Sequence, residues 1–103
     1  MDAEDLVEFV GDIQMIRAAF APGQSTRGIF GPFAESYFLA CRDWEKAQRE
    51  AREQLADRVR AASGNAVLSF EEDCDPFATQ GGEQGIRVSV RGIAVRLEKW
   101  EVA

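Results

Sequence analysis

Residues 71 to 75 read Glu-Glu-Asp-Cys-Asp, the densest gathering in the chain of groups able to hold a cation. Glu71, Glu72, Asp73 and Asp75 supply hard oxygens, of which calcium takes about six to eight, and Cys74 adds a soft sulfur. The spacing does not match an EF-hand loop, and no glycine stands where such a loop turns sharply. On a strand, alternate side chains leave opposite faces, so Glu71 and Asp73 point one way and Glu72 the other. The run therefore reads as a charged strand end and turn, where carboxylates discourage pairing with a foreign strand. A thiolate site built on Cys41 and Cys74 lacks a third soft ligand within one subunit; only a symmetric assembly multiplies Cys74 or Glu72 about an axis.

Histidine is absent, which removes the commonest neutral general base and the commonest transition-metal ligand. Neither cysteine has a base to activate it, no serine sits in a Gly-x-Ser-x-Gly elbow, and the glycine-rich QGGEQG lacks the lysine and following helix of a phosphate loop. No catalytic residue is expected, and no resident cofactor. Twelve basic against eighteen acidic residues give a net charge of −6, which repels nucleic acid and anionic lipid. The two cysteines read as free thiols rather than a secreted disulfide framework. The acidic start, MDAEDLVEFVGD, is unlike a secretory signal, so a cytoplasmic location is expected, with no membrane partner.

A chain of 103 residues is the size of one domain, 1-103. Its clearest pattern is Phe33, Tyr37, Cys41, Trp44, Ala47, Ala51, Leu55, Val59 and Ala62, one apolar stripe at helical spacing. It predicts a helix over 32-63, with Pro32 at the first position and Gly64 as a left-handed stop, either continuous or broken near Cys41 to Asp43. Strands are predicted over 66-73 and 86-98, and a weaker one over 11-20, with 21-32 as a loop. Residues 1-10 form an N-terminal extension in which 2 to 9 make a helical turn or two. In the last strand Ile86, Val88 and Val90 hold one parity and Ile93, Val95 and Leu97 the other. A bulge at Arg91 or Gly92 would return all six to one face and leave Arg87, Ser89, Arg91 and Arg96 on the other.

From about Arg17 to Leu97 this order, with a helix running into SGNAVL, a glycine-rich hairpin QGGEQG and the closing Gly92-Ile93-Ala94-Val95, resembles the YbjQ-like family, labelled a heavy-metal-binding domain. The resemblance implies a dodecin-like α+β fold: two-layer β-α-β-β, an antiparallel three-stranded sheet of order 1-3-2 with the helix on one face. It also implies assembly into a ring, with a pentamer favoured. The family's Gly-Gly pair between two helices is replaced here by FLACRDW. A shorter likeness, at Asp43-Trp44-Glu45-Lys46-Ala47, is to the flavin-storing dodecins.

On that sheet Arg87, Arg91 and Arg96 would lie on the central strand, facing away from the helix, where Glu71 or Asp73 offers cross-strand charge pairing. Trp44 falls on the apolar stripe, so core packing accounts for it more cheaply than stacking on a flavin. Arg87, Arg91, Arg96 and Trp44 are thus the candidates for an interface or ligand. The expectation is a non-enzymatic homo-oligomeric structural or interaction module. The alternative is a protein binding a small ligand, a metal ion or flavin, between subunits.

Overall fold

The computed structural model describes residues 6–21, 23–39, 43–78, 81–82 and 84–99. Among them the chain runs β1 (Leu6–Val10), β2 (Ile13–Ile16), β3 (Gln24–Leu39), α1 (Trp44–Ala61), β4 (Ala66–Ala78) and β5 (Gln84–Lys99). The product is a small α+β fold, with one helix against a five-stranded mixed sheet.

The helix is shorter than its stripe suggests, and it buries Ala47, Ala51, Leu55 and Val59. Asp43 caps it, its carboxylate accepting the Lys46 amide at 3.1 Å, which satisfies one of the first-turn donors left without a partner. At the other end the Ser63 N–H reaches Arg60 O at 2.9 Å and the Gly64 N–H reaches Val59 O at 2.8 Å, a Schellman closure. The left-handed residue there is Ser63, φ 69°, and not Gly64. Glycine at 64 serves close approach instead, since a Cβ would lie 2.8 Å from Val59 Cγ1 and 3.0 Å from Val95 O.

Residues 32 to 39, expected to be helical, belong to β3, and so does most of the expected loop 21-32. Phe33 and Tyr37 are four apart, a spacing that fits a helical stripe and a strand face equally. The long β5 decides the matter, because it pairs with β3 from Gln24 opposite Lys99 to Leu39 opposite Ile86. Pro32 is tolerated because β3 is an edge strand, where a missing N–H breaks no inner ladder. The N-terminal turn is also replaced by strand: Leu6–Val10 pairs antiparallel with β2. Cys41 lies outside the described residues, as do 2 to 5.

The sheet order is β1-β2-β4-β5-β3, so the expected three-stranded antiparallel order holds only in part. The last strand is flanked, as order 1-3-2 requires, but its outer neighbour is β3; the expected first strand shrinks to β2 and pairs in parallel with β4. The apolar contact follows both faces of the sheet. On the helix side Ile86, Val88, Val90 and Ala94 pack with Leu55, Val59, Val67 and Phe70. On the other side Val95 and Leu97 pack with Ile16, Ala21, Ala66 and Leu68.

This second cluster overturns the expected bulge in β5. That strand runs straight, and its change of parity is real burial on two faces, because the turn after β2 covers the back. The extra residues lie on the partners: β4 steps from Leu68, opposite Ile93, to Glu71, opposite Arg91, and β3 shifts at Thr26/Gly28 and Ile29/Gly31. Ser69, φ 52°, takes the β4 bulge, and its amide donates to Ala18 O at 2.9 Å. Leu68 and Phe70 consequently face opposite sides, although they share a parity.

Candidate functional site

The acidic run sits on β4, where the pleat divides it. Glu71, Asp73 and Asp75 share the face away from the helix and meet the arginines of β5. Glu71 Oε2 accepts the Arg91 Nε–H at 2.7 Å and bonds a second guanidinium nitrogen. Asp73 lies 3.6 Å from Arg91, and Asp75 lies 3.0 Å from Arg87. All these side chains are about half exposed, so water screens each pair and it adds little to stability. Two guanidiniums interleaved with three carboxylates leave one net negative charge and no cluster of one sign.

Arg96 does not join it. Opposite Gly28 on β3, it turns to the C-terminal end of the helix and donates to Ser63 O at 3.4 Å. The expectation that Arg87, Arg91 and Arg96 form one set fails there, because Arg96 has the other parity on an unbulged strand.

Glu72 and Cys74 face the helix and meet Arg52 and Gln48, two polar side chains outside its apolar stripe. Arg52 forks onto Glu72, Nε to Oε1 at 2.7 Å and Nη2 to Oε2 at 2.9 Å. Gln48 donates to Glu72 Oε2 at 3.3 Å and to Cys74 Sγ at 3.5 Å. The Arg52 guanidinium also lies 5.8 Å from the centre of the Phe70 ring. Burial pushes the Cys74 thiol above its usual range, with Gln48 opposing and the Glu72 carboxylate adding to the rise. A thiol held protonated is a poor nucleophile and a poor soft ligand at neutral pH.

Among the described residues no three side chains of Asp, Glu and Cys converge as metal ligands. A melt of metal-stripped protein with and without millimolar calcium, zinc or nickel is accordingly expected to show one midpoint. Saturation of a native-state site at a hundredfold excess over Kd would add about 2.7 kcal/mol. An upward shift that disappears in Glu72→Gln or Asp73→Asn would show a metal cage that the single chain does not display.

Trp44 is not core. It opens the helix with 38% exposure and walls a pocket of about 490 Å³ with Pro76, Phe77, Ala78, Gln84, Gly85 and Ile86. Among the described residues no lining side chain is ionisable, and what they offer is a largely apolar wall. Across the far face Phe38 and Phe77 meet edge to face, ring centres 5.5 Å apart. Phe38 and Phe77 are not singled out by the sequence; β pairing beyond residue 73 is what brings them together.

No family model matches the chain, and no curated protein matches it either. Among solved structures it is similar to a protein of unknown function of the DUF74 family from Pediococcus pentosaceus, at 13% identity and a TM-score of 0.58. The match covers 82% of this chain and 96% of that one. DUF74 is YbjQ-like, and at this identity the likeness is one of fold.

Proposed function

We propose that the chain is a YbjQ-like subunit of a homo-oligomeric ring, five copies favoured, which serves as a non-enzymatic structural or interaction module. The observation that carries this reading is an overlong sheet with an open edge strand. The chain measures 62 × 27 × 19 Å with a radius of gyration of 15.3 Å, where a compact domain of this length has about 13 Å. The 16 residues of β3 extend roughly 53 Å, twice the ~27 Å of the helix that covers them. A long edge strand of this kind invites pairing with another chain. The exposed apolar groups Ile29 and Phe38 lie on it, at 71% and 58% exposure.

Native mass spectrometry tests the reading by counting subunits and retained adducts together. A closed oligomer is expected, at five times the subunit mass; a monomer at micromolar concentration would sink it.

A second reading, favoured by the Trp44 pocket, is storage of a flat aromatic ligand such as a flavin, with a neighbouring subunit completing the wall. Retained ligand would appear as a visible absorption band in the purified protein.

A further inference from the structure

The assembly proposed above has a contact that the topology identifies. Among the described residues the sheet has two outer strands, β1 and β3. β1 runs against β2, β2 runs with β4, β4 against β5, and β5 against β3, so β1 and β3 point in opposite directions. Copies set side by side with their helices on one face therefore bring β3 of one beside β1 of the next as an antiparallel pair, the more stable arrangement per residue.

The register shows what meets there. Phe9 is opposite Gln14, Gln14 opposite Ala66, Ala66 opposite Val95, and Val95 opposite Ile29. One transverse row of the sheet thus ends in Phe9 at one edge and Ile29 at the other. These ends are apolar and unburied: Phe9 is 57% exposed, Ile29 71%, and the adjacent Phe30 38%. Nothing charged guards the long edge, since Arg27 and Glu35, its only ionic residues, are each drawn onto their own chain by Glu98 and Arg58 at 3.0 Å. We propose that β3 of each copy accepts β1 of the next copy as an added antiparallel strand, with Phe9 of one seated against Ile29 of the other. The contact joins two different surfaces, so it propagates head to tail and closes as a ring when the rotation per copy divides the circle. A two-fold pairing of β3 with β3 would also be antiparallel, but it would leave Phe9 exposed on β1.

Single-cysteine versions of the full chain, made in a Cys41→Ser, Cys74→Ser background, separate these arrangements. Phe9→Cys co-expressed with Ile29→Cys is expected to give a disulfide-linked pair containing one chain of each kind, and Phe9→Cys with Phe30→Cys, whose side chain leaves the other face of β3, is expected to give far less. Each variant expressed alone is expected to give none. Ile29→Cys linking to itself would show the two-fold pairing and overturn the proposal. An oligomer by native mass with no cross-link in any combination also overturns it while leaving the assembly standing. A monomer would remove the assembly itself.

Discussion

Gly92→Val is expected to lower stability by about 3 kcal/mol, at the upper end of the usual range for overpacking a core. A Cβ at Gly92 would lie 2.1 Å from Val67 Cγ1, 3.0 Å from the Leu68 carbonyl oxygen and 3.5 Å from Phe70 Cα. Val67 is fully buried, and the other two neighbours are the backbone of the β4 bulge, so no flexible side chain can swing away. The reason is space and not conformation, since Gly92 lacks the positive φ seen at Gly11, Gly23, Gly31 and Gly82. For a domain of this size the loss corresponds to a drop in Tm of roughly 12–24 °C. Gly92→Ala, with the same first atom, is expected to suffer much of the loss. A Tm for the alanine variant within a degree or two of the parent would mean that β4 can draw back, and that the close approach is dispensable.

The same strands show where pattern reading succeeds and where it stops. β4 and β5 are legible because short apolar alternations bounded by glycine and proline have few other interpretations. The helix from Trp44 is legible because its stripe repeats through Ala47, Ala51, Leu55 and Val59. Upstream, Phe33 and Tyr37 extend that stripe without belonging to it, and Gly31-Pro32 imitates a helix start; only the length of β5, which needs a partner along its whole course, makes the segment a strand. The parity change in β5 is visible in the sequence, but its cause is not. A second apolar cluster on the back of the sheet depends on where the turn after β2 lies, a matter of tertiary contact. The candidate site divides in the same way. Alternation alone separates Glu71 and Asp73 from Glu72. That Glu72 finds Arg52 and Gln48, 20 and 24 residues earlier, has no local signal, because both sit among charges that otherwise face water.

That concealed pair gives the second large effect: Arg52→Met is expected to cost about 2–3 kcal/mol, and adding Glu72→Leu is expected to restore most of it. The two side chains are only 16% and 11% exposed, and the fork of two hydrogen bonds is the geometry that best offsets the loss of water. Removing Arg52 leaves the Glu72 carboxylate between helix and sheet with Gln48 at 3.3 Å as its remaining partner among these contacts. Methionine keeps an unbranched apolar stem of similar length, so the loss reports the charge and hydrogen bonds of the guanidinium more than packing. The full 3–5 kcal/mol of a completely buried broken pair is not expected, since water still reaches the rim and Gln48 still donates. In the double variant neither member of the fork remains to be desolvated, and leucine and methionine fill similar volume beside Cys74 and Phe70. A double-mutant cycle read by urea unfolding should therefore give a coupling of about 1–3 kcal/mol. If Arg52→Met alone changes stability by under ~0.5 kcal/mol, the pair behaves like an exposed surface bridge. If the double variant is as weak as the sum of its singles, the helix is held to β4 by shape, and the fork between them is incidental.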